Sequence, residues 1–490
     1  MLLSALLRTK PLDHILADGE QPEHRLKKAL TVWDLIALGI GAIIGTGIFV
    51  LIGTAVVGDV GRPGAGPGVM LSFVLAAVAC VLTALCYAEL AAMIPAAGSA
   101  YTYTYMALGE VFAWLTGWNL TLTYGVACVA VAIGWSGYFT NILRALGLGL
   151  PDWAIHPPGV DGGIINLPAA LIVLLVTAAL VVSTKESART TGLIVLVKVS
   201  VIVFFVALGI SKVDPTNWSP FLPNGLAGVG AAAAIVFFAF IGFDAVSTTA
   251  EEAHNPQRDL PIGIIGSLGI CTLLYVAVAA VLTGIVPYQQ IDVHAPVAEA
   301  LRIAGFPWGA LVVAIGAVAG ITSVLFVMMM GQIRIFFAMS RDRLIGAWLS
   351  RVHPRFGTPH HATLLTGGAV AMLAAFVPIG EAANMTNIGT LFAFILVCTS
   401  VLVLRRAKPD HPRPFRVPFM PWIPLAGIVA CGILMSFLPA RTWIRFGVWT
   451  AVGIAIYLLY GIGHSRLATQ EVRLKQPDAR TASPSLPSGP

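Results

Sequence analysis

Charge is what this sequence has least of. Asp, Glu, Lys and Arg make up 11% of 490 residues, while 57% are hydrophobic and the mean hydropathy is +0.87. A soluble domain carries roughly 25% charge, so too few polar groups remain to cover a globular surface. That excludes a soluble fold and places the chain in a membrane. Cysteines are few, and all six (Cys80, Cys86, Cys128, Cys271, Cys398, Cys431) fall inside apolar runs. None has the spacing of a zinc site or a disulfide framework; they read as small buried hydrophobes. The histidines sit mostly in loops and tails (His14, His24, His156, His254, His353, His360, His361). No metal-ligand set, nucleophile arrangement or cofactor motif is visible, so an enzyme is not expected. Nor does an apolar core with a small-residue cleavage site precede Leu30, which argues against a cleaved signal peptide.

What the chain does have is long apolar runs. About 20 residues cross the hydrocarbon core of a bilayer, and on that measure roughly twelve spans are expected. They run over 32–57, 68–93, 111–143, 166–183, 190–210 and 226–249, then 262–286, 309–339, 362–377, 387–404, 422–438 and 443–462. With the N-terminus inside, the inner segments collect roughly 21 of the 29 Lys+Arg. Both termini are therefore expected in the cytoplasm. The same bias explains the pI of 9.1 without nucleic acid. Trp114, Trp118, Trp422, Trp443 and Trp449 suit interfacial anchors. Glu89 and Glu110, near span ends, suit solvated or gate positions.

The first span carries GIGAIIGTGIF, Gly39 to Phe49, with four glycines. Each costs about 1 kcal/mol relative to alanine in a helix. A nucleotide loop needs a strand before it and a soluble phosphate site, and the context denies both. Close helix packing is one remaining reading. The other is a break whose unwound backbone lines a substrate site. A second interruption, FFAFIGFDAVS from Phe237 to Ser247, lies five spans later, where an inverted repeat would put it. Free N–H groups at one half-helix start suit a carboxylate, and free carbonyls at the other ends suit an ammonium group. A zwitterion such as an α-amino acid fits between them.

Further motifs add a resemblance. CYAELAAMIPAAGSAYTYTY (Cys86–Tyr105), GWSGYF (Gly134–Phe139), FFAFIGFDAVSTTAEEAHNPQRDLPIGI (Phe237–Ile264), GQIRIFFAMSRD (Gly331–Asp342) and TNIGTLFAF (Thr386–Phe394) run in order along the chain. With the glycine stretch, the chain resembles the amino acid–polyamine–organocation superfamily, and within it bacterial members of the cationic amino acid transporter family. The resemblance implies an all-α integral membrane protein of LeuT type. Two inverted five-helix repeats, 31–211 and 226–404, would be followed by two extra helices, 405–465, with helices 1 and 6 discontinuous. Cytoplasmic tails, 1–30 and a disordered 466–490, would flank them. It also implies backbone capture of an amino acid at Ile43, Thr46 and Gly47, with Gly45 permitting the break, and at Phe238, Ala239 and Ile241. Phe240 stands where relatives commonly have tyrosine.

Several charges and neighbours complete the candidate set. Lys198 lies about eight residues from either end of its span, too deep to snorkel. It can titrate and couple transport to protons, or simply satisfy unwound carbonyls; relatives with a lysine here resemble proton-coupled transporters. Asp244 suits a cap for N–H groups freed by the second break, or a substrate contact. Thr123 stands where many bacterial relatives carry an acidic residue, which weakens the case for a cationic substrate. Glu251, Glu252, Arg258 and Arg341 suit an inner gate of ion pairs or solvated loop charges. Among Met328, Met329 and Met330, either all serve generic packing or one, with Met329 the candidate, faces the side-chain pocket. The expected function is secondary active uptake of amino acids across the cytoplasmic membrane by alternating access, driven by protons. The partners are the amino acid, protons and the bilayer; no motif speaks for a small membrane subunit. An exchanger without net proton movement is the alternative, and a membrane amino acid sensor is another.

Overall fold

The structure is a computed structural model that describes residues 8–9, 30–59, 61–94, 98–182 and 188–466; the side chains of 188–191 and of Glu251 fall outside that set. Helix follows helix through most of it. α1 (Val32–Ile43) starts at a capping box, in which the Thr31 hydroxyl accepts from the Asp34 N–H and the Asp34 carboxylate accepts from the Thr31 N–H. After a short non-helical link, a π-helical turn (Gly47–Leu51) and α2 (Ile52–Val57) continue the span. α3 (Val69–Met93), the short α4 (Ser99–Ala107), α5 (Glu110–Ala145), α6 (Leu167–Val182) and α7 (Ala188–Gly209) follow. The second half comprises α8 (Gly225–Val236), a 3-10 turn (Phe237–Phe240), α9 (Ala245–Thr248), α10 (Pro256–Ile285), the short α11 (Pro296–Ile303), α12 (Pro307–Arg341), α13 (His360–Phe376) and α14 (Ile379–Ala407). α15 (Trp422–Ser436) and α16 (Ala440–Ile456) close the chain, with a π-helical turn at Tyr457–Gly461. Among the described residues the strand content is one tiny hairpin, β1 (Gly58–Asp59) against β2 (Arg62–Pro63).

Among the described residues, eight helices are long and apolar enough to cross a membrane, and nine when the pair around residue 44, bent by 42°, counts as one span. Three shorter apolar helices, α6, α13 and α15, stand where the sequence also led to the expectation of spans. α14 begins eight residues earlier than the apolar run suggests, because Glu381, Asn384 and Asn387 are tolerated in its first turns. Both α4 and α11 lie between spans, in polar stretches that hydropathy alone passes over.

The long α5 runs through the middle, packed on α12 and α14, while α1 lies against α10 and α7 and α3 against α10. Trp114 and Trp118 are not interfacial anchors. They stack with each other and, through Trp118, with Trp449 of α16 at a ring-centroid distance of 4.3 Å; Trp114 Nε1 donates to the Gly453 carbonyl. Glu89 and Glu110 are likewise buried rather than solvated. Glu89 accepts two hydrogen bonds from the Arg405 guanidinium (2.8 and 2.7 Å) and one from the Val417 N–H, with Arg413 at 3.4 Å. Glu110 accepts from the Tyr105 and Tyr457 hydroxyls. One further link spans the two halves. Leu30 and Ala253 form a parallel β-bridge, in which Leu30 N–H donates to Glu252 and His254 N–H donates to Leu30.

Candidate functional site

The glycines of span 1 face a different neighbour each. A Cβ on Gly39 would meet Ser267 of α10, one on Gly41 would meet Val195 of α7, and one on Gly45 would meet Val324 of α12. On Gly47 it would run into the backbone of Ala239 in the Phe237–Phe240 turn. The spread of glycines around the helix therefore does not argue against close packing. Span 1 is enclosed, and each side needs its own small residue.

Between Ile43 and Gly47 the helical ladder stops. Ile44 is extended (φ −75°, ψ 107°), and regular helix returns through the π-helical turn. Across from it, α8 passes into the 3-10 turn, Ile241 is extended (ψ 132°), and Gly242 adopts φ +121°, which favours glycine. Carbonyls lost to the ladder must find other donors, and side chains from four helices supply them. Lys198 of α7 donates from Nζ to the Gly41 carbonyl at 2.7 Å. The Tyr275 hydroxyl of α10 lies 2.9 Å from both the Ile43 and the Ala239 carbonyls, so one hydrogen is shared between the two interruptions. Tyr138 of α5 donates to the Phe49 carbonyl (2.7 Å), and Asn387 of α14 to the Ala234 carbonyl (2.7 Å).

Between the two interruptions lies a small cavity of about 10 Å³, room for a single water. Ala42, Ile43, Gly45, Thr46 and Gly47 wall it on one side, Phe238 and Ile241 on another, and Ala127, Val131, Val324 and Met328 complete it. Thr46 supplies the one polar side chain in this lining, and its buried Oγ1 has no hydrogen-bond partner among the described residues. No charged side chain lines it. On one face of the molecule a vestibule of about 1670 Å³ opens, edged by charged groups of both signs, among them Asp59, Arg62, Arg144, Asp161, Glu381 and Arg441. At its rim, burial and the neighbouring His294 push the His156 imidazole below its usual range.

The arrangement is a small cavity between two interrupted helices, inside a bundle of apolar spans. A family model described as amino acid permease matches residues 30–460. This chain belongs to the amino acid permease family. It is 46% identical over 466 residues to the methylthioribose transporter of Bacillus subtilis, covering 95% of this chain and 100% of that one. It is 48% identical over 467 residues to the branched-chain amino acid permease BcaP of the same organism, covering 94% and 99%. It is also 39% identical to the vacuolar cationic amino acid transporter 4 of Arabidopsis thaliana, over 83% of this chain and 68% of that one. The permease is thus a transporter rather than an enzyme, and a multi-pass protein of the cell membrane.

Within the permease, most of the sequence candidates gather around the cavity. Ile43, Gly45, Thr46, Gly47, Phe238 and Ile241 line it. Ala239 instead packs on Gly47, and Phe240 turns away to pack its ring against Phe73 and Tyr275. Of the three methionines, Met328 and not Met329 lines the cavity; the apolar run does not fix helix register to one residue. Asp244 is buried, but it does not cap α9. Its Oδ1 accepts from the Gly242 N–H at 3.2 Å and its Oδ2 from the Tyr124 hydroxyl at 3.1 Å, so it braces the turn from within. Thr123 lies one helical turn from Ala127, outside the lining.

The inner-gate set is only partly assembled. Glu252 pairs with Arg334 at 3.9 Å, half-exposed, while Arg258 and Arg341 are exposed and pair with no carboxylate among the described residues. A pair of that kind contributes about 0–1 kcal/mol. Sequence reading missed Tyr275, Tyr138 and Asn387, because a lone tyrosine or asparagine in an apolar run has no partner until the fold supplies one.

Proposed function

We propose that the permease carries amino acids inward by alternating access, with the substrate's carboxylate and ammonium groups held by backbone at 43–47 and 238–241. The observation that carries this reading is the pair of facing interruptions around one closed cavity. The N–H groups opening the Gly47–Leu51 turn suit an anion, and the carbonyls around Ile43 and Ala239 suit a cation. We read the fold as a LeuT-type pair of inverted repeats, 31–211 and 226–404, plus two helices in 405–465. Positive charge in the loops supports a cytoplasmic position for both termini and for the face opposite the vestibule.

The cavity wall favours a neutral side chain. Ala127, Val131, Val324 and Met328 offer no charge to pair with a guanidinium or an ammonium group, and an unpaired buried charge is costly. Two relatives named for methylthioribose and for branched-chain amino acids point the same way.

Proton coupling is assigned to Lys198. It is completely buried at mid-span, and its ammonium group holds the Gly41 carbonyl just before the interruption. Loss of its proton weakens that hold, which ties the state of the lysine to the shape of span 1. Exchange is the second reading, favoured by the same hydrogen bond: a permanently charged Lys198 would simply brace the carbonyl.

Uptake of labelled leucine into proteoliposomes, with and without an inward proton gradient, separates the two readings. Gradient-stimulated uptake that disappears in Lys198→Ala is the expected result. Uptake indifferent to the gradient but dependent on internal amino acid would make the permease an exchanger.

A further inference from the structure

On the wall of the vestibule two connections meet that the central cavity does not use. One joins α5 to α6 (146–166), and the other joins α10 to α11 (286–295). The second lies close against its neighbours. A Cβ on Gly53 of α2 would come within 2.6 Å of the Asp292 carbonyl oxygen, and one on Gly137 of α5 within 3.1 Å of the His294 carbonyl oxygen. Asp292 also folds the connection into α11, its Oδ1 accepting from the His294 N–H at 2.8 Å and from the Ala295 N–H at 2.6 Å. The 291–296 stretch therefore rests directly on the second half of span 1.

The first connection reaches over to meet it. Gly163 packs on the His156 backbone, where a Cβ would come within 2.2 Å of the carbonyl oxygen. Between these two in sequence, Asp161 turns through the left-handed region at φ +45°. Its Oδ2 lies 3.4 Å from His294 Nε2, and the ring of His156 lies 5.3 Å from that of His294. The other charges nearby are engaged elsewhere. Asp152 pairs with Arg144 at 3.4 Å, and Glu299 accepts from Arg302 within α11. Asp292 is occupied by its two N–H groups. Asp59, Arg62, Glu381 and Arg441 stand at other points of the vestibule wall. Asp161 is therefore the carboxylate that faces the His294 imidazole, and His156 is its titratable neighbour.

An imidazole changes charge between about pH 5 and 8. In acid, His294 becomes a cation beside the Asp161 carboxylate, and the two connections attract each other. Above that range the attraction is lost. Two protonated imidazoles side by side repel, so His156 leaves the charge to His294; burial and that same neighbour hold His156 below its usual range. We propose that His294, Asp161 and His156 form an acid-operated latch: a proton arriving from the vestibule ties the α5–α6 connection to the 291–296 stretch and holds that stretch on span 1, with the vestibule open as seen here. The latch acts on access to the cavity and is separate from Lys198. Its link to transport rests on the reading of the cavity as an amino acid site entered from the vestibule; the latch itself does not.

Spin labels test the latch without any substrate. Ile164 and Gln290 are exposed, one on each connection, and the native cysteines are buried. The full-length permease carrying Ile164→Cys and Gln290→Cys, labelled at both, should give one narrow distance at about pH 5 and a broader, longer distribution at about pH 8. Adding His294→Gln should give the broad distribution at both. A distribution indifferent to pH, or one that still narrows in His294→Gln, overturns the latch. Leucine uptake, measured at equal pH on both sides so that no gradient drives it, tests the effect on access. The side chains of His294 and Asp161 are 46% and 60% exposed, and an ion pair that open is weak. Wild-type KM should therefore be only about threefold lower at the acid pH. His294→Gln should show the higher KM at both values, and His294→Lys, which stays charged, the lower. Equal KM in the two variants would refute the effect on access. Absence of any uptake by wild type would instead refute the reading of the cavity, and the spin-label distances would still decide the latch.

Discussion

Gly47 shows how one missing carbon organises the site. Its Cα faces the backbone of Ala239 so closely that any side chain would push the two interruptions apart. Gly47→Val should therefore abolish amino acid binding in a scintillation proximity assay, while the protein still inserts and elutes as a single species. Normal binding by that variant would rule out backbone capture at this position. Lys198 is a second residue whose surroundings speak. Its stem runs along Gly320 of α12, where a Cβ would come within 3.0 Å of Cγ. Gly320→Val should displace the lysine and lose the gradient response in the same way as is expected of Lys198→Ala. At this scale the sequence was informative where chemistry is unusual for a membrane span, as with four glycines or one mid-span lysine. It was uninformative where the role depends on a partner. Tyr275 looks like any aromatic in its span until two carbonyls from elsewhere in the chain are found 2.9 Å from its hydroxyl.

At the scale of elements, the two interruptions are held open by side chains rather than by strain alone. Tyr275→Phe removes the shared hydroxyl and leaves two buried carbonyls short of a donor, at about 1–3 kcal/mol. Amino acid affinity should weaken about tenfold, read as a change in Kd, with little effect on expression. The Glu89 cluster is a different kind of element, a buried carboxylate tying α3 to the end of α14 and to the loop after it. Removing one partner of a buried pair costs about 3–5 kcal/mol. Glu89→Ala should therefore lower the apparent Tm in detergent more than Glu89→Gln does. Hydropathy made the long spans legible because the bilayer imposes length and apolarity on each. The short helices α4 and α11 escaped it, since no bilayer constraint marks them. Register along a span escaped too, which is why Met328 and Met329 changed places and why Thr123 fell one turn outside the cavity lining.

At the scale of the whole molecule, the vestibule opens on one side of the cavity, and α5 and α12 pack together on the other, with Gly117 against the Met339 sulfur. The bilayer and the charge bias set the overall plan, and both can be read from composition. The partners that complete the site come from α5, α7, α10 and α14, whose convergence depends on topology that a single sequence does not display.

The Leu30–Ala253 bridge has a mechanical consequence. Two backbone hydrogen bonds rivet the foot of the first span to the exit of the sixth. Any swing that parted the two feet would have to break both bonds together. The two interrupted spans therefore form a coupled linkage at that end. Because main-chain atoms make the rivet, exchanging side chains at Leu30 or Ala253 leaves its bonds in place.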